Sequence, residues 1–242
     1  MNENYLPNCC TPLSERWPLP VQMPGIRLIS TQFDPSLFDP TAFECCAIAP
    51  VRGVAKRQTE YLAGRICARE ALRQVTGVAS VPAVGEDRAP VWPLNVCGSI
   101  SHGHGLAAAV VAESTHWRGV GLDIEEPLNA ERAIRLASEI LTSRELHGIT
   151  SASAEQQAWR ISLTFSLKES LFKALYPLVL TRFYFEDAEL IDSDSGQQGR
   201  ARLRLLIDLN HDWPAGSEVE GQFCMFGNHL MSLVHIPHQS SQ

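Results

Sequence analysis

The run Gly119-Val120-Gly121-Leu122-Asp123-Ile124-Glu125-Glu126 constrains this chain more than any other. It is an apolar segment that ends on two acids placed two residues apart. In a strand, residues i and i+2 point to one face, about 6.6 Å apart along the chain. Leu122 and Ile124 therefore go into a core, and Asp123 and Glu125 meet on the other side. Glu126 points away from them, into solvent. A strand built this way needs a sheet and a packed layer behind it.

A second stretch, Phe165-Ser166-Leu167-Lys168-Glu169-Ser170-Leu171-Phe172-Lys173, lies in a helical pattern. Glu169 and Lys173 stand at i and i+4, which reads equally well as a surface ion pair. Phe165 and Phe172 on the same face argue against a fully wet surface. Lys168 lies about 100° round the helix from Glu169 and can flank a ligand from a second side. Three carboxylates with ammonium groups beside them suit a hard divalent cation that holds a phosphate.

Composition narrows the class. The 242 residues make one domain or two small ones, and the 45% apolar content supports a real core. No apolar run approaches the roughly 20 residues needed to cross a bilayer. The N-terminus shows no basic segment followed by an apolar block, so no secretory signal is read there. Seven cysteines, without any C-x-x-C, then read as reduced thiols in a cytoplasmic protein rather than a zinc site. A net charge of −7 argues against a general nucleic-acid binder. Residues 51–88 run against that average, with seven Lys/Arg (Arg52, Lys56, Arg57, Arg65, Arg69, Arg73, Arg88) and four acids. Such a patch suits a compact anion, although each cation taken singly also reads as a solvated helix charge.

Residues 1–25 show no periodicity and read as a surface arm. Ile26–Ser30 alternates like a strand. A helix is predicted over 54–76, stopped by Gly77, with Arg65, Arg69 and Arg73 in one stripe. In Gly98-Ser99-Ile100-Ser101-His102-Gly103-His104-Gly105, the two serines flank an inward Ile100. Ser101 and His102 at that glycine-flanked strand end can bind phosphate; His104 reads as a turn residue. Asn129 is predicted to cap a helix to about Ile140, and Thr142 or Ser143 the next short one. A long helix is predicted over 154–176, stopped by Pro177. The remainder alternates in four segments and reads as an antiparallel meander. The order suggests two similar α+β halves, 1–117 and 118–242.

Several motifs in order now match a known family. They are Leu62-Ala63-Gly64-Arg65 with Arg69-Glu70-Ala71-Leu72, Val91-Trp92-Pro93, Gly98-Ser99-Ile100-Ser101-His102, the Asp123-x-Glu125 strand, and Lys168-Glu169-Ser170 with Lys173. The set resembles the 4′-phosphopantetheinyl transferases of the Sfp type, within them the enterobactin-synthetase (EntD-like) branch, over roughly residues 50–177. Two positions depart from the family pattern: Phe165 stands where Trp is common, and Ser170 where Ala is.

The resemblance implies an α+β fold of two halves related by a pseudo-twofold, each a small, mostly antiparallel sheet packed by helices, with the active site in the cleft between them. It implies Mg²⁺-dependent transfer of the 4′-phosphopantetheine arm of coenzyme A to a serine of an acidic apo carrier protein, acyl or peptidyl, with release of adenosine 3′,5′-bisphosphate. Asp123, Glu125 and Glu169 would hold Mg²⁺. Lys168 and Lys173 would neutralise phosphate oxygens, and Glu169 would accept the serine proton. Ser101, His102 and Arg69 would contact coenzyme A phosphates, with Lys56, Arg57, Arg65 and Arg88 as peripheral contributors. Arg182, Phe183 and Tyr184 read as a carrier-docking region. A monomer is expected, with no nucleic-acid or membrane partner. The rival readings are a metal-dependent phosphodiesterase using His102 and His104, and a carrier-binding module without chemistry.

Overall fold

The structure is a computed structural model that describes residues 5–85, 87 and 89–238. The chain divides into two compact units. The first runs up to Trp117 apart from Pro18–Gln22; the second takes Pro18–Gln22 and the chain from Arg118 onward. Each is a sheet packed against helices, an α+β architecture. Among the described residues, no helix is long and apolar enough to cross a membrane.

In the first unit, β1 (Ile26–Gln32), β5 (Leu106–Glu113) and β4 (Val96–Gly103) form an antiparallel sheet in the order β1-β5-β4. The helix α2 (Ala55–Thr76) packs on it. Cys67, Ala68, Ala71 and Leu72 of α2 meet Ile29, Val96, Ala109 and Val111. Gly77 takes a left-handed φ of 78° and its N–H bonds the Arg73 carbonyl, which ends the helix. A short helix α1 (Thr41–Cys45) and a two-stranded hairpin, β2 (Ala83–Val84) with β3 (Pro90–Val91), complete the unit.

The N-terminal segment differs from the expected surface arm. Cys9 and Cys10 are buried against Phe43 and Ile66. Ser14 and Ser30 of β1 exchange backbone hydrogen bonds, and the Thr11 N–H donates to the Gln32 carbonyl while the Gln32 N–H donates to Thr11 Oγ1. Without periodicity, the segment is held by these backbone bonds at the β1 edge rather than by an apolar stripe. In the second unit, the Val21 backbone bonds both ends of the Gln222 amide.

The second unit carries a five-stranded sheet in the order β6-β10-β9-β8-β7. The strands are β6 (Trp117–Glu125), β7 (Ala188–Ser193), β8 (Gln198–Leu205), β9 (Glu218–Phe226) and β10 (His229–Pro237). The long helix α5 (Ala154–Val179) lies on the sheet, with Leu163, Leu167, Leu171 and Leu175 against Leu203, Phe223, Leu230 and Val234. Two shorter helices, α3 (Ala130–Ile140) and α4 (Ser143–Ile149), precede it. Asn129 caps α3, and Thr142 with Glu145 forms a capping box on α4.

Pro177 does not stop α5. The helix continues to Val179 and closes on Leu180, at a left-handed φ of 53°. A proline this near the end costs one backbone bond, and the Leu180 N–H still reaches the Tyr176 carbonyl at 2.9 Å.

Candidate active site

In the second unit the acids are set by how closely β6 meets α5. Gly119, Gly121, Asp123 and Glu125 share one face of the strand. A Cβ on Gly121 would sit 1.9 Å from the Ser170 carbonyl oxygen, so helix backbone lies directly on strand backbone there. Two residues on, Asp123 faces the same stretch of α5, and Lys173 Nζ donates to its Oδ1 at 2.6 Å. Asp123 is 2% exposed. Burial, and then the neighbouring Asp123, push the Glu125 carboxyl up to about 7. Burial also raises Glu169, with Asp123 adding to the rise and Lys173 opposing it.

Three carboxylates thus feel one another, with Lys173 as the nearest cation and Arg132 assisting at Glu125. Among the described residues, however, no three His, Cys, Asp or Glu side chains are grouped so as to hold a metal ion by themselves. The three expected ligands lie in one acidic cluster, in which Asp123 accepts from Lys173. The donor chemistry still fits an open Mg²⁺ site. That ion takes one or two carboxylates and fills its shell with water and substrate phosphate. Two acids raised chiefly by burial, with the Asp123 carboxylate adding to both, mark a spot where a bound cation would be favoured.

Lys168 has a different place from the one expected. It is 3% exposed, and its Nζ donates to the Ile140 carbonyl (2.9 Å), Glu145 Oε2 (2.8 Å) and the Phe185 carbonyl (2.8 Å). An ammonium has three donors. All three are spent on protein acceptors, which corrects the phosphate-binding assignment.

A cleft of about 220 Å³ opens beside Lys168 and Glu169, walled by Phe172, Phe183 and Phe185 and rimmed by Arg182 and Tyr184. Phe172 packs on Phe183 at 5.3 Å between ring centroids, and Phe165 on Phe185 at 5.4 Å. Phe165 thereby supplies the ring contact without an indole donor. The other departure is also accommodated. Ser170 Oγ donates to the Ser232 carbonyl at 3.0 Å, and the Ser232 hydroxyl lies 2.8 Å from Ser170 and 2.7 Å from Ser166.

The first unit holds a second, larger cleft of about 580 Å³, lined by Arg52, Arg57, Glu60, Tyr61, Arg65 and His102 among others. Arg65 is 4% exposed, its guanidinium sits 5.0 Å over the Tyr61 ring, and its Nη1 has no hydrogen-bond partner. A buried donor without a partner, on a residue that lines a basic cleft, makes Arg65 a candidate anion contact. His102 Nδ1 lies 3.8 Å from Glu60 Oε2.

Three sequence expectations are corrected here. Arg69 is buried and its Nη1 donates to the Cys46 carbonyl at 2.6 Å, outside the cleft. Ser101 is buried and alternates to the face opposite His102, while Ile100 packs inward on the α2 core and borders the cleft beside His102. Lys56 is exposed and does not line the cleft. Arg88 lies outside the described residues. His104 is exposed at the β4–β5 turn with φ 48°, so a His102-x-His104 metal pair gains nothing. Arg52 of the basic patch lines the cleft, and Glu60 and Tyr61 are lining residues that the sequence reading lacks. The findable signal was Tyr61 one turn before Arg65, at i and i+4.

Comparison with known proteins follows the same division. Residues 49–112 match the model of the 4′-phosphopantetheinyl transferase N-terminal domain, and residues 119–232 that of the 4′-phosphopantetheinyl transferase superfamily. The chain is 35% identical over 178 residues to the 4′-phosphopantetheinyl transferase PptT of Mycobacterium tuberculosis, covering 72% of this chain and 76% of that protein. It is 35% identical over 147 residues to the 4′-phosphopantetheinyl transferase Svp of Streptomyces mobaraensis, covering 60% of this chain and 59% of that one. It is 46% identical over 119 residues to the enterobactin synthase component D of Escherichia coli O157:H7, covering 49% of this chain. That match spans about half the length of the enterobactin component, 55%. The chain belongs to the 4′-phosphopantetheinyl transferase superfamily, in its two-domain Sfp-type form.

Proposed function

We propose that this chain transfers the 4′-phosphopantetheine arm of coenzyme A to a serine of an apo carrier protein and releases adenosine 3′,5′-bisphosphate. The observation that carries the reading is the cluster of Asp123, Glu125, Glu169 and Lys173 on facing surfaces of β6 and α5. Phosphoryl transfer asks a protein mainly for positioning and charge stabilisation. Asp123 and Glu125, with Glu169 directly or through water, would hold Mg²⁺; bound there, the ion supplies positive charge to a diphosphate.

The remaining work falls to this chain's own side chains. Arg65, Arg57, Arg52 and His102 bind the nucleotide phosphates in the first unit's cleft. Lys173, half-buried and bonded to Asp123, is the cation that meets a phosphate oxygen. Glu169 is the proton acceptor for the attacking serine, because burial makes its carboxylate a stronger base. The aromatic cleft beside Glu169 takes the uncharged part of the arm. Arg182 and Tyr184, both exposed at its rim, meet an acidic carrier surface. The relatives called enterobactin synthase component D point to a siderophore peptide carrier as the first partner to try.

The experiment is intact-mass spectrometry of apo acyl and peptidyl carrier proteins incubated with coenzyme A, Mg²⁺ and this chain. A phosphopantetheine mass gain that a chelator abolishes is expected. No gain on any carrier overturns the reading.

A further inference from the structure

We infer that Lys168 and Glu145 form a buried strut that positions Glu169 and the aromatic cleft wall, and that the Lys168 ammonium, although its side chain lines that cleft, holds protein acceptors and not a substrate phosphate. The pair collects five segments of the second unit. Lys168 Nζ binds the Ile140 carbonyl at the end of α3 and the Phe185 carbonyl in the cleft wall. Glu145 Oε2 receives Lys168 and also the Thr142 N–H at 2.7 Å, which caps α4. Glu145 Oε1 receives the Leu190 N–H of β7 at 2.6 Å. Both side chains are almost wholly buried, 2% and 8% exposed.

Stability alone does not explain such a pair. Desolvation of two charges offsets most of their attraction, and apolar residues of the same volume hold a core as well. What an apolar pair lacks is direction. Three bonds at Lys168 fix the rotation of α5 about its axis at that turn. The next residue, Glu169, is then aimed about 100° away, along the face that carries Lys173. The same ammonium holds Phe185, so the cleft wall and the carboxylate beside it are set by one atom.

The test compares Lys168→Met, Lys168→Arg and Glu145→Gln. Amide exchange over residues 182–190 is read without coenzyme or metal; kcat and the KM for coenzyme A are read in the transfer assay below the melting range. In each variant, exchange in that segment accelerates. The kcat falls about 10- to 100-fold, as for residues that hold a ligating group in place. The KM for coenzyme A stays within about threefold. Arg fares nearly as badly as Met, because a planar fork cannot aim three donors at three acceptors. Three results would overturn the inference. One is a large rise in KM with unchanged exchange, which marks a phosphate ligand. Another is Lys168→Arg at wild-type rate. The third is faster exchange with unchanged kcat, which marks a merely structural bond. If Lys168→Met does not fold, Glu145→Gln carries the same predictions. The kinetic arm rests on the transferase reading. A wild-type chain that modifies no carrier sinks that reading, while the exchange arm still decides the strut.

Discussion

Gly121→Ala probes whether strand β6 must touch helix α5 to build the acidic cluster. The added Cβ would stand 1.9 Å from the Ser170 oxygen, 2.6 Å from the Ala174 nitrogen and 2.9 Å from the Ser170 carbon. Ordinary contact begins near 3.4 Å, so the helix must withdraw by about 1.5 Å, the difference between 3.4 and 1.9. Overpacking of a core commonly costs about 1–3 kcal/mol. Here all three contacts are backbone atoms that no rotamer change relieves, so the cost lies at about 3 kcal/mol or above. For a chain of this size that lowers the melting temperature by roughly 6–12 °C. The same withdrawal breaks the 2.6 Å bond between Lys173 and Asp123, and transfer activity falls with it. Gly148→Ala is the control. That glycine is in α4 with nothing near its absent Cβ, and the exchange stabilises by roughly 0.5–1 kcal/mol. Calorimetry on both variants decides. Gly121→Ala melting within about a degree of wild type would refute the close approach as the source of the cluster.

Further outcomes follow from single groups. Arg65→Met raises the KM for coenzyme A by about 10- to 100-fold, the value of a hydrogen bond to a charged group, and leaves kcat in place; an unchanged KM removes Arg65 from the anion site. Glu169→Gln lowers kcat by about 10²- to 10⁴-fold at saturating Mg²⁺; a retained rate with weakened metal dependence would end the proton-acceptor role. Arg182→Glu raises the apparent KM for carrier protein and not that for coenzyme A, which steady-state kinetics resolves. Burial holds the His235 imidazole below its ordinary value, against Glu220 at 4.0 Å pulling it up. The unfolded chain then takes up this proton first, so stability is full above about pH 6.5 and is lost as pH falls through the lower folded value. His235→Gln flattens the melting-temperature profile in that window; an unaltered slope contradicts the assignment.

The strand and helix signals were legible where local chemistry decides. Gly77 ends α2 through a left-handed φ, Asn129 caps α3, and the alternation at Leu122 to Glu125 places the acids. What failed depended on which side of a helix the fold buries. Lys168 and Glu169 are adjacent, and the spacing says only that they differ by about 100°, not which one meets the interior. Arg65 and Arg69 share a stripe, yet four residues advance about 40° past a full turn. That is enough to turn Arg69 to the Cys46 carbonyl while Arg65 faces the cleft. Strand alternation puts Ser101 and His102 on opposite faces although they are adjacent in sequence. Glu145 carried no signal beyond its capping box; its bonds to Lys168 and Leu190 join residues 23 and 45 positions away.

The central claim is group transfer to a protein acceptor rather than hydrolysis. The most direct measurement counts adenosine 3′,5′-bisphosphate released against carrier serine modified, in one reaction with Mg²⁺ and limiting apo carrier. Equal amounts, with release stopping when the carrier is consumed, are predicted. Release that continues without carrier, or that leaves the carrier mass unchanged, would contradict the account.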